Sequence, residues 1–303
     1  MSCTMPEPIR ILFEDHHLIA IDKPAGMVVH RGTGHHAGLV EKLREVLGQR
    51  PGGAREASIV APVHRLDRET SGVVMFGKTE AGLRKMARLF ESGEIEKNYL
   101  VLCKGVTHKK GRITIPLLAR PRADRAPRDK QEHWDDEEER SLLPPDVSAE
   151  SVAFEPLGED KKLLEALTTY RKLIQVPGLS LLVVQPRTGR THQIRRHLRS
   201  IGHPVAGDVR WGDPRFNRFL AHHQLTRPFI HAAMLSFPHP ITRAPMTLWA
   251  PLPTLLQEVL ASLGFAPLRP PWGPSIEGAN AAPLPSPEGP LTEDPAEEDP
   301  AEE

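Results

Sequence analysis

At 303 residues, 39% of them hydrophobic, the chain has room for one large domain or two small ones and enough apolar content for a globular core. Basic and acidic residues both number 39, but the segment from Leu268 to Glu303 holds nine acids against Arg269 alone, so the remainder is net basic and suits a polyanionic partner such as RNA. Two cysteines, Cys3 and Cys103, exclude a disulfide framework and a cysteine metal site, no apolar run approaches the ~20 residues of a membrane span, and no leader pattern opens the chain; a cytoplasmic protein without membrane attachment is expected.

In chain order, residues 1–8 are expected to be disordered, and Ile9 to Ile21 reads as strand, turn, strand, stopped by Asp22-Lys23-Pro24-Ala25-Gly26. Leu39, Val40, Leu43, Val46 and Leu47 have helical spacing. Arg50 to Ala57 reads as a loop of small residues and Ser58 to Val63 as a short strand, leading into His64-Arg65-Leu66-Asp67-Arg68-Glu69-Thr70-Ser71-Gly72. The valine-rich run from Gly72 to Phe76 predicts a strand. Thr79 is a suitable N-cap for a helix with Leu83, Met86, Ala87 and Phe90 on one face, ended by Gly93. Asn98 to Cys103 resumes as strand.

The charged stretch from Arg120 to Lys162 is expected to be a poorly ordered insertion. Beyond it, Thr168 to Ile174 and Leu179 to Val184 pair across Pro177-Gly178, Thr191 to Ser200 reads as a helix, and Met234 to Leu248 as a hairpin. From about Pro267 the Pro- and Glu-rich tail buries too little surface to offset chain entropy. Helices and strands mix without strict βαβ alternation, which favours an α+β fold, here spanning residues 9–266.

Gly72 to Thr79 satisfies the phosphate-loop pattern G-x-x-x-x-G-K-[ST] and raises nucleotide hydrolysis as a competitor. A phosphate loop must coil so that its N–H groups converge. Val73, Val74, Met75 and Phe76 favour an extended, buried conformation instead. The paired histidines His35-His36 and His222-His223 lack cysteines or spaced carboxylates nearby, so no metal is expected.

Three segments carry candidate chemistry. Asp67 sits in a polar turn between two apolar runs, where a turn aspartate bonding its own backbone is the ordinary reading. Arg187 to Arg199 places five arginines in thirteen residues at the start of a helix. That pattern suits phosphate or carboxylate binding, and one of the arginines could pair with Asp67. Glu96-Lys97-Asn98-Tyr99 supplies a phenol able to stack on a base or move a proton.

Together these segments resemble the pseudouridine synthase family that modifies ribosomal and transfer RNA, in the branch typified by ribosomal large-subunit synthase A. H-R-L-D-x-x-T-S-G is met in full at His64–Gly72, and G-R-T-H-Q-I-R-x-H-L begins at Gly189. Supporting segments are Asp22–Gly26, Gly202–Asp208 and His231–Leu235. The likeness covers about Ile9 to Leu252, apart from the insertion. It implies a central mixed, largely antiparallel sheet flanked by helices and loops, and no cofactor. It implies that Asp67 is the essential aspartate, Tyr99 the active-site tyrosine and Arg195 the arginine paired with Asp67, with Arg65 filling the space of a flipped-out nucleotide. Arg68, Thr70, Arg190, His192, Gln193 and Arg196 are expected to contact substrate. The partner is then RNA and the protein a monomer. Within the branch the nearest resemblance is to members acting on uridine 65 of certain tRNAs, carried by Met27–Arg31, Arg195-Arg196 and Trp211–Arg218. The same chemistry on ribosomal RNA, or an inactive RNA-binding module, is the alternative. The RNA-binding module that precedes many relatives is not expected here.

Overall fold

A computed structural model describes residues 9–30, 38–119 and 163–269. The expected disordered N-terminus, the insertion at 120–162 and nearly all of the tail lie outside the described residues.

The chain opens with strands β1 (Arg10–Glu14) and β2 (Leu18–Lys23), then helices α1 (Leu39–Gly48) and α2 (Ala54–Ile59). Next come β3 (Ala61–Pro62), β4 (Ser71–Gly77), α3 (Glu80–Ser92), β5 (Glu96–Lys104), β6 (Lys110–Ile113) and β7 (Leu117–Leu118). The C-terminal half contributes β8 (Leu163–Leu164), β9 (Thr168–Val176), β10 (Leu179–Pro186), α4 (Gln193–Ser200), α5 (Pro214–His222), β11 (Ile230–Pro238), β12 (Pro245–Trp249) and α6 (Thr254–Ser262). One ten-stranded sheet runs β1-β2-β4-β11-β5-β10-β9-β6, with β12 on β11 and β3 on β4. Among the described residues its only parallel pairing is β4 with β11; β7 and β8 form a separate pair. The fold is α+β with a mixed, largely antiparallel sheet, as the sequence predicts.

The central strands are apolar on both faces because both faces are covered. In β2 and β4, Ile19, Ile21, Val74 and Phe76 pack with Leu39 and Leu43 of α1, while Leu18, Ala20, Val73 and Met75 pack with Met86 and Leu89 of α3. In β10, Leu181 and Val183 join the core beneath α5 and α6, and Leu182 and Val184 join Ile194 and Leu198 of α4. Thr79 caps α3 as predicted, its hydroxyl accepting from the Gly82 N–H at 3.1 Å, and Gly93 closes that helix in the left-handed region at φ 75°.

Three local expectations are corrected. Ser58 to Val63 is not a strand: Ala54–Ile59 is a helix docked on α1, with Ala57 against the core, and only Ala61–Pro62 pairs with β4. Pro62 has no N–H to extend that ladder. Helix α4 begins at Gln193 rather than Thr191, because His192 adopts a left-handed conformation at φ 51°. Helices α5 and α6 were not anticipated; Asp213 caps α5, its carboxylate accepting from the N–H groups of Arg215 and Phe216 at 2.9 Å each.

The phosphate-loop reading fails on geometry. Gly72 to Phe76 is buried strand, and Lys78 is buried with its Nζ on Glu14 at 2.7 Å, the Asp15 carbonyl at 2.9 Å and Glu56 at 3.3 Å. Nothing is left of it to reach a phosphate.

Candidate active site

Register brings the site together. Gly72 of β4, Ala232 of β11, Tyr99 of β5 and Val184 of β10 lie in one row across the sheet. The loop before β4 carries Asp67, and the loop after β10 leads into α4 and Arg195. Gly72 is required here: at φ 115°, a Cβ on it would meet the Ala232 carbonyl oxygen at 2.2 Å.

The Asp67 loop is held from behind by its own carbonyls. The Thr70 N–H donates to the Asp67 carbonyl at 3.1 Å. The Arg68 carbonyl accepts from the Gly26 N–H at 2.9 Å and from Lys23 Nζ at 3.0 Å, and Lys23 also donates to the Pro24 and Met27 carbonyls. Burial pulls the Lys23 pKa down to about 7, the Glu69 charge opposing and Arg227 adding to it. Buried Arg227 donates to the Glu69 carbonyl at 3.0 Å and to Ser71 Oγ at 3.3 Å. Ser71 Oγ lies 3.0 Å from His231 Nδ1, whose Nε2 faces the Ala250 carbonyl at 3.1 Å. At the loop's start, His64 Nε2 accepts the Met75 N–H at 3.0 Å. Burial, with the Lys97 charge, lowers its pKa to about 3, so the ring is neutral.

None of these bonds uses the Asp67 carboxylate, which is left for another partner. Arg195 provides it: Nη1 lies 3.4 Å from Asp67 Oδ2. The shorter bonds of Arg195 go elsewhere, from Nε to Asp208 Oδ2 at 2.6 Å and from Nη2 to Asp208 Oδ1 at 2.7 Å. Asp208 is fully buried, and its Oδ1 also accepts from the N–H groups of Arg210 and Trp211 at 3.0 Å each. Burial works against the Arg195 charge, but hydrogen bonds and charge from Asp208, and then Asp67, outweigh it and raise its pKa.

The Asp67 side chain is 29% exposed and opens on a cavity of about 420 Å³, within the range of small-ligand pockets. Asp67, Tyr99, Arg195, Arg65, Thr70, Arg190, His192 and Gln193 all line it. Burial, and then the negative charge of Asp67, push the Tyr99 phenol above its ordinary pKa, so it is protonated at neutral pH. Arg65 is exposed at the mouth. Arg190 is exposed and donates to the Glu165 carbonyl at 3.0 Å. His192 Nδ1 accepts from Trp211 Nε1 at 3.1 Å, which fixes its tautomer.

Gln193, though it touches the cavity, is buried and braces the loop. Its Oε1 accepts from Thr188 Oγ1 at 2.6 Å and the Arg190 N–H at 3.0 Å, and its Nε2 donates to the Leu167 carbonyl and Thr168 Oγ1 at 2.9 Å each. Arg68 and Arg196 do not line the cavity. Arg68 is exposed and pairs with Glu69 at 2.8 Å; Arg196 is buried, donating to the Leu118 and Thr191 carbonyls. Sequence reasoning did not single out Asp208 as the main partner of Arg195 or Lys97 as a cavity-lining residue, though each lies inside a segment it quoted. No group of three His, Cys, Asp or Glu side chains among the described residues is placed to hold a metal. His223 bonds Ser262 instead, and His35 and His36 lie outside the described residues.

The family described as RNA pseudouridylate synthase matches residues 17–200, a span holding Asp67, Tyr99 and Arg195. Ribosomal large subunit pseudouridine synthase C of Vibrio vulnificus is 34% identical over 84% of the chain and 69% of its own length. tRNA pseudouridine synthase C of Haemophilus influenzae is 32% identical over 85% of the chain and 98% of its own length. Among solved structures, human RNA pseudouridylate synthase domain containing 4 shares the fold at a TM-score of 0.63 and 21% identity, covering 84% of this chain and 92% of that one.

Proposed function

The chain belongs to the RNA pseudouridylate synthase family and isomerises uridine in RNA; from that premise we propose that its substrate is tRNA, with uridine 65 the candidate position, and that Asp67 is the carboxylate that acts on it. The observation that carries the site assignment is the placement of Asp67: open to the cavity, facing protonated Tyr99, and held by one long bond to an arginine anchored elsewhere.

The reaction breaks the C1′–N1 bond and forms C1′–C5. N1 gains a proton and C5 loses one, so atoms and electrons balance without a redox partner. Uracil stacked in a helix must first be flipped out, at a cost of a few kcal/mol offset by contacts to the backbone. Arg65, at the cavity mouth, is placed to fill the gap left behind. Asp67 is the only carboxylate among the described residues lining the cavity, so it either attacks C1′ or takes a ribose proton to give a glycal. The single 3.4 Å bond leaves it free to turn toward the sugar. Tyr99, protonated, serves by stacking and by donating, and the C5 proton passes to a group of lower pKa.

The tRNA reading is supported by the match along 98% of the H. influenzae tRNA synthase, against 69% of the ribosomal one. The test is tritium release from C5-labelled uridine in a panel of tRNAs and ribosomal RNA. Wild type is expected to release tritium from tRNA and Asp67→Asn to release none. Equal release by the variant refutes the assignment of Asp67. Release from ribosomal RNA alone refutes the tRNA substrate while leaving the chemistry intact.

A further inference from the structure

Lys97 lies on β5 two residues before Tyr99, and strand alternation turns both side chains to the same face. Both line the cavity that holds Asp67. The neighbouring carboxylate, Glu96, is turned to the other face, where its Oε1 accepts from Asn98 Nδ2 at 2.8 Å and Gln185 Nε2 at 2.9 Å. Among the described residues, no hydrogen bond or ion pair reaches the Lys97 ammonium. What does reach it is like charge: burial, and then Arg187, lower its pKa, and the Arg187 guanidinium, among the described residues, donates to the neutral Gln185 amide oxygen at 3.4 Å. Asp67 and Asp208 are both matched to Arg195.

A half-buried ammonium that feels the charge of a guanidinium, with no carboxylate paired to either among the described residues, is unfavourable until an anion arrives. A base carbonyl offers only partial charge, whereas a phosphodiester offers a full one and can accept from both cations. The geometry points to a subsite for one RNA backbone phosphate, the one flanking the flipped uridine, held by Lys97 with Arg187 beside it. This rests on the cavity being the uridine site. The subsite fixes the ribose against Asp67 from the phosphate side, while Arg65 fills the stack.

The test pairs changes on protein and RNA. A tRNA substrate is made with a single neutral methylphosphonate at each linkage around the target uridine, and its binding to wild type, Lys97→Met and Lys97→Arg is measured across a salt series. One linkage next to the target is expected to weaken wild-type binding by about tenfold or more and to have no effect in Lys97→Met. Lys97→Met should also lower the slope of log K against log salt by ~0.7–0.9, with Lys97→Arg restoring it. The proposal is overturned if no flanking methylphosphonate weakens wild type, if the effect persists in Lys97→Met, or if that variant loses kcat with binding and salt slope unchanged, which would place Lys97 on the base. Wild type that neither binds nor isomerises unmodified RNA would instead overturn the reading of the cavity itself.

Discussion

Arg195 grips Asp208 through two nitrogens, at 2.6 and 2.7 Å, and gives Asp67 only its third, at 3.4 Å. The buried carboxylate is the anchor, and the partly exposed one is held by the single longer bond. A carboxylate locked in two short bonds is a poor nucleophile, whereas one oriented by a single long bond keeps its direction and its reactivity. Asp208 lies beyond the family's matched span, in the loop that also places Trp211 against His192.

Replacing Asp208 by Ala therefore leaves a buried guanidinium without its main partner, and a loss of about 3–5 kcal/mol in stability is expected. Asp208→Asn keeps the shape and loses the charge. It should unfold less readily than Asp208→Ala yet lower single-turnover kcat by about 10–100-fold, since positions that orient a reacting group act on that scale. Urea unfolding and single-turnover tritium release separate the two effects. Wild-type kcat in Asp208→Asn would show that Arg195 needs no anchor.

Tyr99→Phe keeps the ring and removes the donor. With the phenol held protonated, the variant should lose about 10–100-fold in kcat, the worth of one hydrogen bond to a charged group, and its pH–rate profile between pH 6 and 9 should keep the wild-type shape. A limb that disappears with the hydroxyl would instead make the phenolate the base.

Acid stability should depend on His231. It is fully buried and neutral, with a pKa near 4 set chiefly by burial against 6.5 unfolded. Between those values the unfolded chain binds the extra proton, so stability rises with pH and is lost as pH falls from 6.5 toward 4. The contribution at stake is roughly 3 kcal/mol. His64 acts in the same direction, its window reaching down to about 3. Urea midpoints taken from pH 7.5 to pH 4.5 should fall steeply in wild type and less so in His231→Gln, which should start from a lower value. An equal slope in both would assign the acid loss to other groups.

Gly72→Ala should be among the most damaging single substitutions. The added Cβ meets the Ala232 carbonyl oxygen at 2.2 Å in a backbone conformation at φ 115° that alanine rarely adopts. Both the β4–β11 junction and the Asp67 loop hang on that position. A loss of more than ~2 kcal/mol is expected by thermal or urea unfolding, and a variant as stable as wild type would mean that the two strands can part there.

The sequence alone determined most of the elements and singled out Asp67 as the candidate carboxylate. Strand and helix periodicity, the Thr79 cap and the Gly93 stop are local, encoded by neighbours a few residues apart, and the structure keeps them. The H-R-L-D-x-x-T-S-G run likewise marked Asp67 and Gly72 without any knowledge of what surrounds them. Ser58 to Val63 misled because a short apolar stretch fits a helix docked on α1 as well as a strand, and only the docking chooses. The tertiary structure alone decided how the candidate site is held together. Asp208 is 13 residues from Arg195 and 141 from Asp67 in the chain, yet it outbids Asp67 for the guanidinium because it is wholly buried and bonds it twice. Gln193 and Arg196, in the same arginine-rich segment, turn inward because α4 must pack Ile194 and Leu198 against β10. Among the described residues Lys97 has no counter-ion, because strand alternation gives Glu96 to the other face of β5. Burial and partner choice follow from which faces the ten-stranded sheet brings together, and no local pattern carries that information.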